Sequence, residues 1–116
     1  MEKLFDAEYR FMEILWELEP INSTKLVGVC KERLGWNKST TYTVLRKLCQ
    51  KGTAKNEAAT VTTLITREQA IREQGDELVE KVGGMMSFFT AFFSGRKLTA
   101  QEAEELKELI DRSMGE

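Results

Sequence analysis

The side chains best suited to chemistry lie between residues 37 and 51, in NKSTTYTVLRKLCQK. At 100° per residue, Ser39, Thr43, Arg46 and Gln50 fall on one side of a helix, opposite Thr41, Val44, Leu45 and Leu48. Tyr42 and Lys47 flank the polar side, with Lys38 at the helix start and Lys51 at its end. Small hydroxyls let such a helix approach another surface closely. An Arg guanidinium can fork onto a guanine edge and a Gln amide can pair with adenine, while lysines at the margins suit phosphate oxygens. The same residues would also make an ordinary solvated face, so their meaning depends on what surrounds them.

Other chemistries are poorly supplied. Histidine is absent, which removes the commonest general base and the commonest transition-metal ligand. There is no Gly-rich phosphate loop, no nucleophile motif and no CxxC pair. Neither enzyme activity nor a cofactor nor a metal site is expected. The carboxylates of Glu104 and Glu108 stand four residues apart on a polar helix face, where they read as solvated surface. Cys30 and Cys49 sit inside helical patterns, and MEKLFDAEYR lacks a basic stretch followed by an apolar one. Reduced thiols and a cytoplasmic location are therefore expected. The apolar runs are too short to span a bilayer, so no direct membrane insertion is expected.

Net charge is −2, which by itself argues against nucleic acid. The distribution argues the other way. Residues 22–55 hold eight basic side chains against Glu32 alone, a balance of +7, whereas residues 68–116 hold six basic and eleven acidic ones. That asymmetry predicts a basic working surface followed by an acidic accessory region.

The surrounding elements follow from periodicity. Ala7, Phe11, Leu15 and Leu18 form a helical stripe with Ile14 beside it, Asp6 is the expected N-cap, and Pro20 ends the helix. Leu26, Val29, Cys30 and Leu34 mark a second helix, capped by Asn22 or Ser23 and closed by Gly35. Asn37 can cap the third, about 38–51, and Gly52 terminates it. The period then changes. TAKNEAATVTTLIT reads as two short strands joined around Asn56–Ala59, offering Lys55 as its one basic side chain and Glu57 near its tip. Thr66 and Gln69 can form a capping box for a fourth helix reaching about Val82. Gly83–Gly84 breaks it, MMSFFTAFF follows, and Thr99 with Glu102 opens a last helix with Leu106, Leu109 and Ile110 as its ridge.

Two helices joined by a short Gly-containing turn make a helix-turn-helix, and a hairpin directly after the second adds a wing. The predicted fold is mainly α (α+β). A winged helix-turn-helix with a small β-hairpin occupies residues 1–67, and a helical dimerisation arm occupies 68–116. In that arm Met85, Phe88, Phe89, Phe92 and Phe93 make one wide apolar face. A segment this short struggles to bury them without a partner, and a two-fold dimer would cover them. Packing within the chain, on the first or fourth helix, and a ligand pocket remain the alternatives. A winged-helix scaffold serving as a protein-interaction adaptor is the alternative to DNA binding.

AEYRFMEILWE together with KSTTYTVLRKLCQKG resembles the penicillinase-repressor family of bacterial winged-helix regulators, and LTAQEAEELKELID is similar to that family's last helix. The resemblance runs over roughly residues 4–112. It implies a homodimeric repressor of the antibiotic-resistance-regulator type, with intertwined C-terminal helices and two recognition helices reading an inverted repeat in a double-stranded DNA operator. It also implies that Thr40, Thr43 and Arg46 lie at the DNA. In the resistance branch an upstream membrane sensor's signal leads to proteolysis between an Asn and a Phe of the aromatic helix. The matching bond is Ala91–Phe92, with Ala in place of the Asn. The copper branch carries paired C-x-C motifs, which this chain lacks.

Overall fold

The structure is a computed structural model that describes residues 2–115. Helices α1 (Asp6–Leu18), α2 (Ser23–Leu34) and α3 (Lys38–Gln50) precede the strands β2 (Ala54–Glu57) and β3 (Thr60–Thr63), and a two-residue strand β1 (Ile21–Asn22) lies between α1 and α2. Helices α4 (Arg67–Lys81), α5 (Met85–Phe93) and α6 (Ala100–Met114) follow. This is a winged helix-turn-helix followed by helices, and the sheet is antiparallel in the order β1-β3-β2. The chain divides into two compact units at Asp76/Glu77, within the length of α4.

The helix starts are set by local hydrogen bonds. Asn22 Oδ1 accepts from the Thr24 N–H at 2.8 Å, and Asn37 Oδ1 from the Thr40 N–H at 2.7 Å. Each satisfies a first-turn donor that has no partner inside its helix. Thr66 and Gln69 close a reciprocal box, with Gln69 Oε1 accepting from the Thr66 N–H and Thr66 Oγ1 from the Gln69 N–H. Gly35 adopts φ +70 at the end of α2, where a side chain would be strained.

The α1 entry differs from expectation. Phe5, not Asp6, is the N-cap residue, and Asp6 is the first helical position. Glu8 reaches back to accept from the Phe5 N–H at 2.9 Å, while Phe5 has no side-chain acceptor to return the bond. Ala7 is exposed rather than part of the core stripe; Glu8 and Met12 are buried instead. The buried arc is centred on Phe11 and Leu15 and turned toward Met12, because α1 packs against both α3 and the sheet.

The core of the first unit joins Phe11, Met12 and Leu15 of α1 to Leu26 and Cys30 of α2, Leu45 and Leu48 of α3, and Val61 of β3. Trp36, in the α2–α3 turn, stacks on Phe11 with ring centroids 6.0 Å apart. The Trp16 indole N–H donates to the Ile65 carbonyl at 3.0 Å and ties α1 to the segment after the wing. β1 has no counterpart among the expected elements. Two residues carry too little pattern to be read, and they become a strand only by pairing Ile21 with Val61 and Asn22 with Thr60.

The wing is narrow. Glu57 pairs with Thr60, leaving Ala58 and Ala59 as a two-residue turn at φ +51 and +63. That backbone matches the twist of a hairpin but is costly for residues bearing a Cβ. The Ala59 carbonyl accepts from the Ser23 N–H at 2.8 Å, fastening the turn to the start of α2.

In the second unit, Gly83 and Gly84 take φ +98 and +113 between α4 and α5. Thr99 and Glu102 form the expected capping box at α6, each bond 3.0 Å long. Among the described residues from Glu77 on, none is buried.

Candidate nucleic-acid interface

Helix α3 turns Thr41, Leu45 and Leu48 inward and keeps Val44 half-buried. The Thr41 hydroxyl donates to the Asn37 carbonyl at 3.1 Å, so its buried oxygen is satisfied. The opposite side carries Lys38, Ser39, Thr40, Thr43, Arg46, Lys47 and Gln50, all exposed. Their side chains make no hydrogen bond or ion pair with the rest of the described chain. A helix face of hydroxyl, amide and cationic groups without internal partners has its bonding capacity directed outward.

Three further residues expected at DNA, two on α3 and its end and one on the wing, have partners within the chain. Tyr42 is half-buried, its hydroxyl donating to Ser23 Oγ at 3.4 Å across the helix-turn-helix. Lys51 is the C-cap residue of α3, and its ammonium donates to Glu8 Oε1 at 2.6 Å and to the Lys3 carbonyl at 2.8 Å. It also lies 4.7 Å from the centre of the Phe5 ring. Lys55 on the wing pairs with Glu57 at 2.6 Å, and that pairing, through a charged hydrogen bond first, holds the Glu57 carboxyl below its ordinary value. The outward cationic charge thus sits on α3 and not on the wing.

Lys25 and Lys31 of α2 are also exposed, have no partner among the described residues, and lie outside the expected site. Their local charge was visible, but no motif assigned them a role. Arg33, counted in the same basic stretch, bonds to Glu17 of α1; the Arg33 guanidinium accordingly holds the Glu17 carboxyl below the usual carboxylate range. Burial raises both thiols, Cys30 and Cys49, above the usual value. No cluster of His, Cys, Asp or Glu among the described residues is arranged to hold a metal ion, and no helix is long and apolar enough to cross a membrane.

In the second unit, α5 stacks Phe88 on Phe92 at 5.5 Å and Phe89 on Phe93 at 5.7 Å, two parallel ladders along one helix. Phe89, Phe92 and Phe93 nonetheless remain 36–43% exposed, and Met85 63%. Arg96 lies over the Phe92 ring and donates to the Phe92 carbonyl, closing the helix. Ala91 is exposed beside Phe92. On α6, Leu106 is half-buried while Leu109 and Ile110 are more than half exposed.

A MarR family protein of Mycobacterium tuberculosis, known from its crystal structure, aligns over 97% of this chain and 76% of its own, with 19% identity and a TM-score of 0.47. An uncharacterised 16.5 kDa protein encoded in the region 3′ of ptsI in Latilactobacillus sakei is 26% identical over 110 residues, covering 90% of this chain and 75% of that protein. Residues 4–112 match the penicillinase repressor family. The chain therefore belongs to the penicillinase repressor family and is a DNA-binding transcriptional regulator rather than an enzyme.

Proposed function

We propose that the chain is a dimeric repressor that occupies an inverted-repeat operator by laying α3 in the major groove of each half-site. The observation that carries this is the outward face of α3, where Ser39, Thr40, Thr43, Arg46 and Gln50 are exposed and internally unengaged. Arg46 and Gln50 are the base-edge readers, and Lys38 and Lys47 hold phosphates. Lys55 adds little, since Glu57 already pairs with it. Lys51 and Tyr42 contribute by holding α3 in place.

Dimerisation is supported by the second unit. A segment of about 40 residues with no buried side chain among its described residues lacks the interior needed to hold its own shape. Met85, Phe88, Phe89, Phe92 and Phe93, with Leu106, Leu109 and Ile110, supply the apolar surface that a second copy would cover. The family match supports regulation of an antibiotic-resistance type, for which an upstream membrane sensor or protease would be the signal source. The Ala91–Phe92 bond is the place where proteolytic release would act.

A gel-shift titration on the promoter fragment upstream of its own gene, with light scattering in parallel, tests both halves. A retarded complex that weakens with salt, from a dimeric protein, is the expected result. A monomer at micromolar concentration that ignores duplex DNA would refute the proposal.

A second reading, a protein-interaction adaptor on a winged-helix scaffold, draws support from the neutral wing and the net charge of −2. A protein partner that competes for α3 in the absence of any DNA binding would select it.

A further inference from the structure

Glu8 is the one charged residue among the described buried set, 4% exposed, and its partner is 43 positions away at the far end of α3. Its Oε1 accepts from the Phe5 N–H and from Lys51 Nζ. Lys51 Nζ in turn donates to the Lys3 carbonyl and rests on the Phe5 ring. Three parts of the chain meet there: the segment before α1, the first turn of α1, and the last turn of α3. The backbone just beyond is fastened as well, since the Thr53 N–H and hydroxyl both donate to the Leu48 carbonyl.

The apolar contacts of Leu45 and Leu48 hold α3 against the core, and the Glu8–Lys51 pair adds a polar restraint just beyond them, at the end of the helix. Lys51 Nζ is held at one place by three groups of the N-terminal segment, the Glu8 carboxylate, the Lys3 carbonyl and the Phe5 ring. Lys51 follows Gln50 directly, so anchoring it sets the azimuth of the face bearing Thr43, Arg46 and Gln50. A buried ion pair contributes little to net stability against an apolar replacement, and its best-attested use is to select one arrangement.

We propose that Glu8 and Lys51 are positioning residues for DNA recognition: their pairing fixes the rotation of α3 relative to α1, and so sets discrimination between operator and other DNA rather than attraction to DNA in general. This rests on the reading that α3 lies on DNA.

The test compares full-length wild type, the double variant Glu8→Leu/Lys51→Met, a reserve variant Glu8→Gln/Lys51→Met, and Arg46→Ala. The probes are the duplex that wild type selects from a random pool and a scrambled duplex of equal length, each across a salt series. For the folded double variant, affinity for the selected duplex is expected to fall about tenfold, roughly one mismatched base pair's worth. Affinity for the scrambled duplex and the salt slope stay unchanged. An unchanged ratio of the two affinities in that folded variant overturns the proposal. So does a parallel loss on both duplexes with the slope lowered by about one, which would make Lys51 a phosphate contact. Should the first double variant not fold, Glu8→Gln/Lys51→Met decides: it keeps an acceptor for the Phe5 N–H and leaves no ammonium to pair, and the proposal stands if the ratio falls and fails if it does not. Arg46→Ala separates the two levels. If it leaves the selected duplex bound as before, the reading of α3 fails and the positioning role with it; if it weakens binding while the ratio is insensitive to Glu8 and Lys51, only the positioning role fails.

Discussion

Glu19 holds Thr63 twice, its carboxylate accepting the Thr63 backbone N–H at 2.8 Å and the Thr63 hydroxyl at 2.7 Å. The pair links the end of α1 to the last residue of β3, across 44 positions of sequence. Glu19→Ala leaves two donors without their acceptor and is expected to cost about 1–3 kcal/mol. Hydrogen exchange should show the loss first in the amides of residues 61–64, with α3 unchanged.

Asn37→Ala removes the acceptor for the Thr40 N–H at the front of α3. A lost N-cap costs about 1 kcal/mol, or roughly 5 °C in melting temperature for a domain of this size. Calorimetry checks the magnitude. Replacement by Ser, which can also cap, should recover most of it.

Lys51→Ala strands the Glu8 carboxylate in a nearly dry site. Breaking a buried pair from one side costs about 3–5 kcal/mol, far more than loss of an exposed lysine. Lys47→Ala, one turn earlier on the outward face, should leave stability within about 0.5 kcal/mol. Urea denaturation of the two variants measures the contrast.

Ala59→Gly relieves a Cβ held at φ +63. It is expected to stabilise the wing by up to about 1 kcal/mol, since glycine adopts that backbone without strain. A higher urea midpoint with unchanged slope would verify it, and a lower midpoint would contradict it.

The Glu102 carboxyl is held below its usual value of 4.5, first by the Thr99 backbone N–H and then by the Thr99 hydroxyl. A depressed carboxylate contributes stability that is complete above the unfolded value and is lost as pH falls through the folded one. The first turn of α6 should therefore loosen on acidification below about pH 4.5. In Thr99→Val, an NMR titration should place the Glu102 midpoint closer to the usual value than in wild type.

Helix starts were legible because Asn22, Asn37, Thr66 with Gln69, and Thr99 with Glu102 act on neighbours two or three residues away. Helix ends at Gly35 and Gly83 follow from backbone conformations that other residues avoid. Long-range partners leave no such local mark. β1 exists only through β3, some 40 residues on. Lys51 has the composition of a phosphate-binding residue, but a long flexible stem lets the ammonium turn inward, and only Glu8 decided that it does. Phe5 and Glu8, three apart, did carry a readable signal, since a carboxylate at the third helical position commonly bonds back to the capping N–H. Tyr42 sits at the edge of the outward arc, half-buried, and its hydroxyl is taken up by Ser23, 19 residues earlier in the chain.

No described residue from Glu77 on is buried, so under the proposed dimer the molecule's persistence is tied to its abundance. If the arm pairs as proposed, a lone newly synthesised chain would present its stacked phenylalanine rings to degradative enzymes, and mass action would shelter it. On that proposal, dilution below the pairing threshold would hasten destruction, and the level would decline faster than growth alone accounts for.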